Sequence, residues 1–148
     1  MSNPRMATKI ETEAKPKRYV FVLLEDFTLL SFASALESLR IANRMLGHEA
    51  YQWRVIGEGG VEVRCSAGSL FKLDGELGEL SRDDTMMICS GVNVQKFTTK
   101  KLLGWVRREA RKGIPVAGLC TAAYTLAKAG LLDDKRATIH WENHDSFS

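Results

Sequence analysis

Apolar positions change rhythm from segment to segment along this chain, and those changes predict its elements. Tyr19 to Leu24 is an unbroken apolar run, the pattern of a strand buried on both faces. From Leu29 to Leu46 the apolar residues recur at helical spacing through Leu29, Phe32, Leu36, Leu39, Ile41 and Leu46. Gly47 stands where a helix C-cap belongs. Tyr51 to Gly57 predicts a second strand and Val61 to Ser66 a shorter one, followed by a polar, glycine-containing connection. Thr85 to Cys89 is the next buried strand, ending in Ser90-Gly91. Phe97 to Lys112 predicts one helix closed by Gly113, and Pro115 to Leu119 another strand. Thr121 to Ala129 predicts a helix capped by Gly130, and Leu131 to Arg136 a return loop. Ala137-Thr138-Ile139 then starts a short strand that ends at His140-Trp141. Glu142 to Ser148 reads as the start of a further helix, so the domain is expected to be truncated at its C-terminus. Strands alternating with helices predict a three-layer α/β/α sandwich on a mostly parallel sheet, with segments 19–24, 85–89 and 115–119 central.

Composition narrows the class. A length of 148 residues, 45% of them hydrophobic, suffices for one domain with a real core. Residues 1–18 are polar, lack periodicity and hold two of the three prolines, which predicts a disordered leader. The net charge of +3 lies entirely there: five basic and two acidic side chains precede Tyr19, and sixteen of each follow. The body therefore carries no electrostatic footprint for DNA. Lys100, Lys101, Arg107, Arg108, Arg111 and Lys112 crowd one helix, which reads as a solvated outer face. No apolar run approaches the ~20 residues of a membrane span, and the N-terminus lacks a signal-peptide core. Three cysteines without C-x-x-C spacing indicate neither a disulfide framework nor a zinc ribbon, and a cytoplasmic setting is expected. Cys65 and Cys89 are read as core.

The chemistry concentrates in Ile114-Pro115-Val116-Ala117-Gly118-Leu119-Cys120-Thr121-Ala122-Ala123. Its G-x-C-x-A pattern is the thiol counterpart of the G-x-S-x-G elbow, in which small residues let a nucleophile project from a strand-to-helix turn. A cysteine there meets a helix N-terminus, whose N–H groups and dipole favour a thiolate. In a right-handed βαβ unit, Cys120 and His140 both emerge at the carboxyl edge of neighbouring parallel strands about 4.8 Å apart. Ser90-Gly91-Val92 follows a strand at that edge, and its N–H groups, like that of Thr121, are placed to receive an anion. His140, Glu142 and His144 do not suggest a metal site, because i, i+4 histidines converge only on a helix. Neither a metal nor a cofactor is expected. Trp141 is read as a packing residue. Glu37, Arg40 and Asn43 share a helical face, as a local salt bridge or as a polar interdomain or dimer surface.

Elbow, crossover and His140 together resemble the class I glutamine amidotransferase-like superfamily, which includes the ThiJ/PfpI group with its flavodoxin-like fold. The stretch from Ser31 to Asn43, the Gly118–Ala122 elbow, and Gly130-Leu131-Leu132-Asp133 with Ala137 to Asn143 narrow the resemblance. They look like the N-terminal sensor domain of GlxA-type AraC-family transcriptional regulators, from about Tyr19 to the end. In the hydrolytic and hydratase members, an acidic residue near the start of the first helix faces the cysteine. Ser31 occupies that position here, and a neutral hydroxyl does not replace a carboxylate as base. Glu25 and Asp26, just upstream, are the available substitutes. The resemblance thus implies a vestigial Cys120–His140 pair. It also implies a pocket of Ser31, Ser90, Gly91, Val92, Cys120, Thr121 and His140 for a small-molecule effector, an amine or amino-acid derivative. Further implications are a homodimer and DNA contact only through a helix-turn-helix domain that this chain does not contain. Two alternatives stay open: a hydrolase or hydratase using Cys120 on an amide, aldehyde or isonitrile, and a redox sensor in which Cys120 forms a sulfinic acid.

Overall fold

The computed structural model describes residues 15–132. Four parallel strands form the sheet: β1 (Lys17–Leu23), β2 (Tyr51–Ile56), β5 (Asp84–Cys89) and β6 (Val116–Leu119), in spatial order β2-β1-β5-β6. Between β2 and β5 the short strands β3 (Glu62–Arg64) and β4 (Leu70–Lys72) pair antiparallel as a separate hairpin. The helices are α1 (Leu29–Leu46), α2 (Val94–Phe97), α3 (Lys100–Ala110) and α4 (Ala123–Lys128). The fold is flavodoxin-like.

Why β1 sits centrally is visible in its residues. Val20, Phe21, Val22 and Leu23 are all buried, because α1 covers one face and α3 the other. On the α1 side Phe21, Phe27, Phe32 and Phe71 pack edge to face, with ring centroids 5.3 to 6.3 Å apart. On the α3 side Val20, Val22, Met86, Ile88, Trp105 and Val106 form a second core. The outer strand β2 alternates in burial, as a strand with one covered face does. Asn43 ties α1 to it, donating to the Tyr51 carbonyl and accepting from the Tyr51 N–H, both at 2.9 Å. Asn43 thus pins the scaffold, while Glu37 and Arg40 pair locally on the exposed face.

Several boundaries differ from the expectation. Lys17 and Arg18, assigned to the leader, are the first residues of β1, in register with Tyr51 and Gln52. Leu70–Lys72 is a strand inside the stretch read as a connection. The single helix expected over 97–112 is two, because Thr99 caps α3 by accepting from the Leu102 N–H at 3.1 Å. The segment 115–119 is parallel as expected, but it is outermost among the described residues rather than central. The basic face of α3 is partly tied down. Arg107 donates to the Ala129 and Lys128 carbonyls at the end of α4, and Lys112 to the Leu80 carbonyl. The expected strand at 137–139, His140, Trp141 and the segment 142–148 lie outside the described residues. No helix among the described residues is long and apolar enough to cross a membrane.

Candidate functional site

The chain leaves β1 toward β2 and returns on the other side to β5 and β6, so the topological switch point falls between β1 and β5. Loops at such a point diverge to opposite faces and leave a crevice at the carboxyl ends of the strands. The elbow and the loops after β1 and β5 converge there.

Cys120 follows β6 with φ 56° and heads a 3-10 turn, Cys120–Ala122, that runs into α4. That left-handed conformation costs an L-residue about 1–2 kcal/mol. Small neighbours permit it: a Cβ on Gly118 would lie 3.0 Å from Ala122 Cβ and 3.2 Å from Leu126 Cδ1. The strand, tight turn and helix expected of the elbow are present. Cys120 is exposed, while Cys65 and Cys89 are buried core residues. Burial pushes the Cys89 thiol far above its ordinary pKa, since a thiolate there would lose its hydration.

The turn after β1 is held from several sides. The Asp26 N–H donates to the Arg64 carbonyl at 2.8 Å, and the Thr28 N–H to the Ser90 carbonyl at 3.1 Å. Asp26 also has a positive φ, 63°, and its carboxylate accepts from Asn93 Nδ2 at 2.8 Å. Gly91 is required by close approach: a Cβ there would fall 2.1 Å from the Asp26 carbonyl oxygen. Asp26 and Cys120 are the two non-glycine residues with positive φ among the described residues, and both belong to this edge. Backbone strain held by surrounding contacts clusters at functional sites.

One contact joins the two loops chemically. Thr28 Oγ1 donates to Cys120 Sγ at 3.1 Å, across 92 residues of sequence. A hydroxyl that donates to sulfur favours negative charge there and does not accept its proton. Among the described residues, no carboxylate is hydrogen-bonded to this sulfur. The Ser90 and Thr121 side chains are buried and bonded to each other at 2.9 Å. Thr121 Oγ1 also donates to the Gly91 carbonyl at 2.6 Å, so Ser90 supplies the proton of the shared bond. These two hydroxyls brace the β5 loop against the elbow. Ser31 lies half-buried in the first turn of α1, and Val92 points to solvent. Ser90, Gly91, Cys120 and Thr121 are thus brought together; His140 lies outside the described residues. Thr28 and Asn93 are additions that sequence reasoning missed. A threonine before an apolar helical run hints at a helix start, but nothing in the sequence pairs it with a thiol.

Glu25, beside this turn, lines a cavity of about 430 Å³ with Glu58, Glu62, Lys101, Phe97 and Leu102. Three carboxylates face one ammonium there. Thr99 Oγ1 donates to the Glu58 carboxylate at 3.0 Å. A cavity of about 470 Å³ at the opposite edge of the sheet, between Arg18, Trp53, Arg54 and Asp84, is remote from the elbow. Among the described residues no group of three or more His, Cys, Asp or Glu side chains is placed to hold a metal ion.

An elbow cysteine at the switch point of a parallel sheet defines a class, and the chain belongs to it: it is a member of the DJ-1/PfpI family, whose model matches residues 17–147. It is 39% identical over 127 residues to the HTH-type transcriptional regulator CdhR of Pseudomonas aeruginosa, covering 86% of this chain and 38% of that protein. It is 36% identical over 127 residues to the HTH-type transcriptional regulator GbdR of the same species, covering 86% and 35%. The chain thus spans well under half the length of these regulators. The isonitrile hydratase of Pseudomonas putida is 41% identical over 86 residues, 57% of this chain and 38% of the enzyme. Among solved structures, an AraC family transcriptional regulator from Pseudomonas putida superposes with a TM-score of 0.76 at 29% identity, covering 90% of this chain and 71% of that one.

Proposed function

We propose that this chain is the ligand-sensing domain of an AraC-type transcriptional regulator, with the crevice around Cys120 serving as a pocket for a small metabolite. The observation that carries this reading is the partner of the sulfur. Thiol catalysis needs a base oriented by a third group, whereas Sγ here meets the Thr28 hydroxyl as a donor. The backbone N–H groups of Gly91 and Thr121 and the Cys120 side chain form the polar part of the pocket. Ser31, in the first turn of α1, and His140, which lies outside the described residues, are assigned to it on the strength of the family resemblance alone. The regulators it resembles support the same reading. The effector is a small amine or amino-acid derivative, a class supported by the carboxylates of Glu25, Glu58 and Glu62 in the adjoining cavity. DNA is contacted by a helix-turn-helix domain outside this chain.

The exposed, strained Cys120 favours a second reading, a cysteine-dependent hydratase or hydrolase. Thermal-shift titration with amines and amino-acid derivatives, against carboxylic acids of equal size, separates the two when run beside turnover assays. Saturable stabilisation by one of the amines without turnover is expected. Robust turnover of an amide, glyoxal or isonitrile that disappears in Cys120→Ala would establish the enzyme instead.

A further inference from the structure

The cavity at the amino ends of the strands has a polar wall that the fold leaves unfinished. Arg18 stands in register with Gln52 on one side and with Asp84 on the other, so the three form one row across β2, β1 and β5. Arg54 lies two residues beyond Gln52 on β2, and strand alternation returns it to the same face. Buried Val20, opposite Arg54, floors the space between them. The cavity measures about 470 Å³, within the range of small-molecule sites.

Asp84 is its most informative group. The residue is 1% exposed, and its Oδ2 accepts from the Ser81 N–H at 2.8 Å. Its Oδ1 accepts no hydrogen bond among the described residues. Arg18 Nε stands 3.1 Å away as a counter-charge, but without the alignment of a hydrogen bond. A buried carboxylate oxygen in that state favours a group that brings an N–H donor. Arg54 presents the opposite need, an exposed guanidinium with no carboxylate partner among the described residues. Glu49 also lines the cavity, so two carboxylates balance two guanidinium groups and the walls favour a ligand without net charge.

We propose that this cavity binds a small zwitterion, its primary ammonium on Asp84 Oδ1 and its carboxylate on Arg54. Two strand spacings and two residues of rise put the Asp84 and Arg54 Cα atoms roughly 12 Å apart. With side chains standing off the sheet and a hydrogen bond at each end, about 6 Å remains between the ligand's charged atoms. An ω-amino acid such as 4-aminobutanoate spans that gap, whereas the charges of an α-amino acid lie too close together. The ammonium must keep its N–H hydrogens, because only these satisfy Oδ1. This site and the elbow crevice lie at opposite edges of the sheet, so neither needs the other to be filled.

Isothermal titration of the whole 148-residue chain with 4-aminobutanoate tests this, with circular dichroism to verify folding. Saturable binding is expected, with butylamine, butanoate and alanine each at least about tenfold weaker. Asp84→Asn and Arg54→Met should each raise the dissociation constant about tenfold. Arg54→Glu should reverse the preference, so that 1,4-diaminobutane binds better than 4-aminobutanoate. If Asp84→Asn fails to fold, the two Arg54 variants, at an exposed side chain, carry the test alone. Absence of saturable binding, or binding indifferent to Arg54, would overturn the proposal. Binding that survives the Asp84 and Arg54 variants but is abolished by Gly91→Ala would place the amine in the elbow crevice, overturning this site and leaving the crevice reading intact.

Discussion

The elbow edge and the underside of α3 use polar groups to opposite ends. At the elbow, hydrogen bonds from Asp26, Thr28, Ser90 and Thr121 hold strained backbone in place and leave the Cys120 thiol facing solvent. Beneath α3, the buried Glu109 carboxylate accepts from the Leu80 N–H at 2.6 Å, Lys112 Nζ at 2.8 Å and Arg108 Nε at 3.3 Å. Lys112 also donates to the Leu80 carbonyl at 2.7 Å, closing a ring in which each partner is satisfied. The first arrangement holds a reactive group available. The second joins the 74–83 segment to the helix layer and has nothing left to offer a ligand. Stability and chemistry are thereby separated in space, and substitutions should separate them too.

The largest effect is expected at the ring. Glu109→Ala strands the Leu80 N–H and removes the partner of Lys112. Urea denaturation should show a loss of about 3 kcal/mol, the low end for breaking a buried pair because Lys112 still reaches water. This contribution has a sign in pH. Burial pushes the Glu109 carboxyl up, but the hydrogen bonds from Lys112, Leu80 and Arg108 outweigh it and hold the pKa below the ordinary carboxylate value. A group depressed in the folded state stabilises above its unfolded value, about 4.3 for Glu. That stability should drain away as pH falls below this value and through the folded pKa. Glu109→Gln should flatten this acid limb of the wild-type stability curve.

A smaller loss is expected at the elbow edge, with a functional cost out of proportion to it. Gly91→Ala drives a methyl into the Asp26 carbonyl. The turn must move, at about 1–3 kcal/mol on the scale of overpacking. Effector-induced thermal stabilisation should disappear even where the variant stays folded. If Gly91→Ala bound effector normally, the crevice would not be the pocket.

Thiol labelling sharpens the comparison without touching stability. Iodoacetamide should modify Cys120 well ahead of Cys65 and Cys89, whose burial requires local opening first. Mass spectrometry of timed digests reads the order directly. The smallest effect belongs to Thr28→Val, which removes the hydroxyl from Sγ with little change in shape. It should slow Cys120 alkylation and cost about 0.5–1.5 kcal/mol, the worth of one hydrogen bond. Unchanged alkylation would show that this contact does not tune the thiol.

What the sequence determined by itself is what neighbours in the chain determine. Helix α1 was legible to the residue, because its packing face repeats every three to four positions and Gly47 adopts the left-handed cap with φ 75°. The strands β1 and β5 were legible because burial on both faces leaves unbroken apolar runs. The elbow was legible because a tight turn admits only small residues beside the nucleophile. The break at Thr98-Thr99 and the strand Leu70–Lys72 escaped notice: three residues are too few to show a period, and a helix cap competes with a continuing basic pattern. Only the tertiary structure decided what touches Cys120. The order β2-β1-β5-β6 carries the ends of β1 and β6 to one edge, and there Thr28 reaches a thiol 92 positions away. Crossover geometry sets that meeting, and a single hydroxyl in a turn leaves no periodic trace by which to foresee it. The same holds for Gly91, whose missing Cβ makes sense only once the Asp26 carbonyl lies against it.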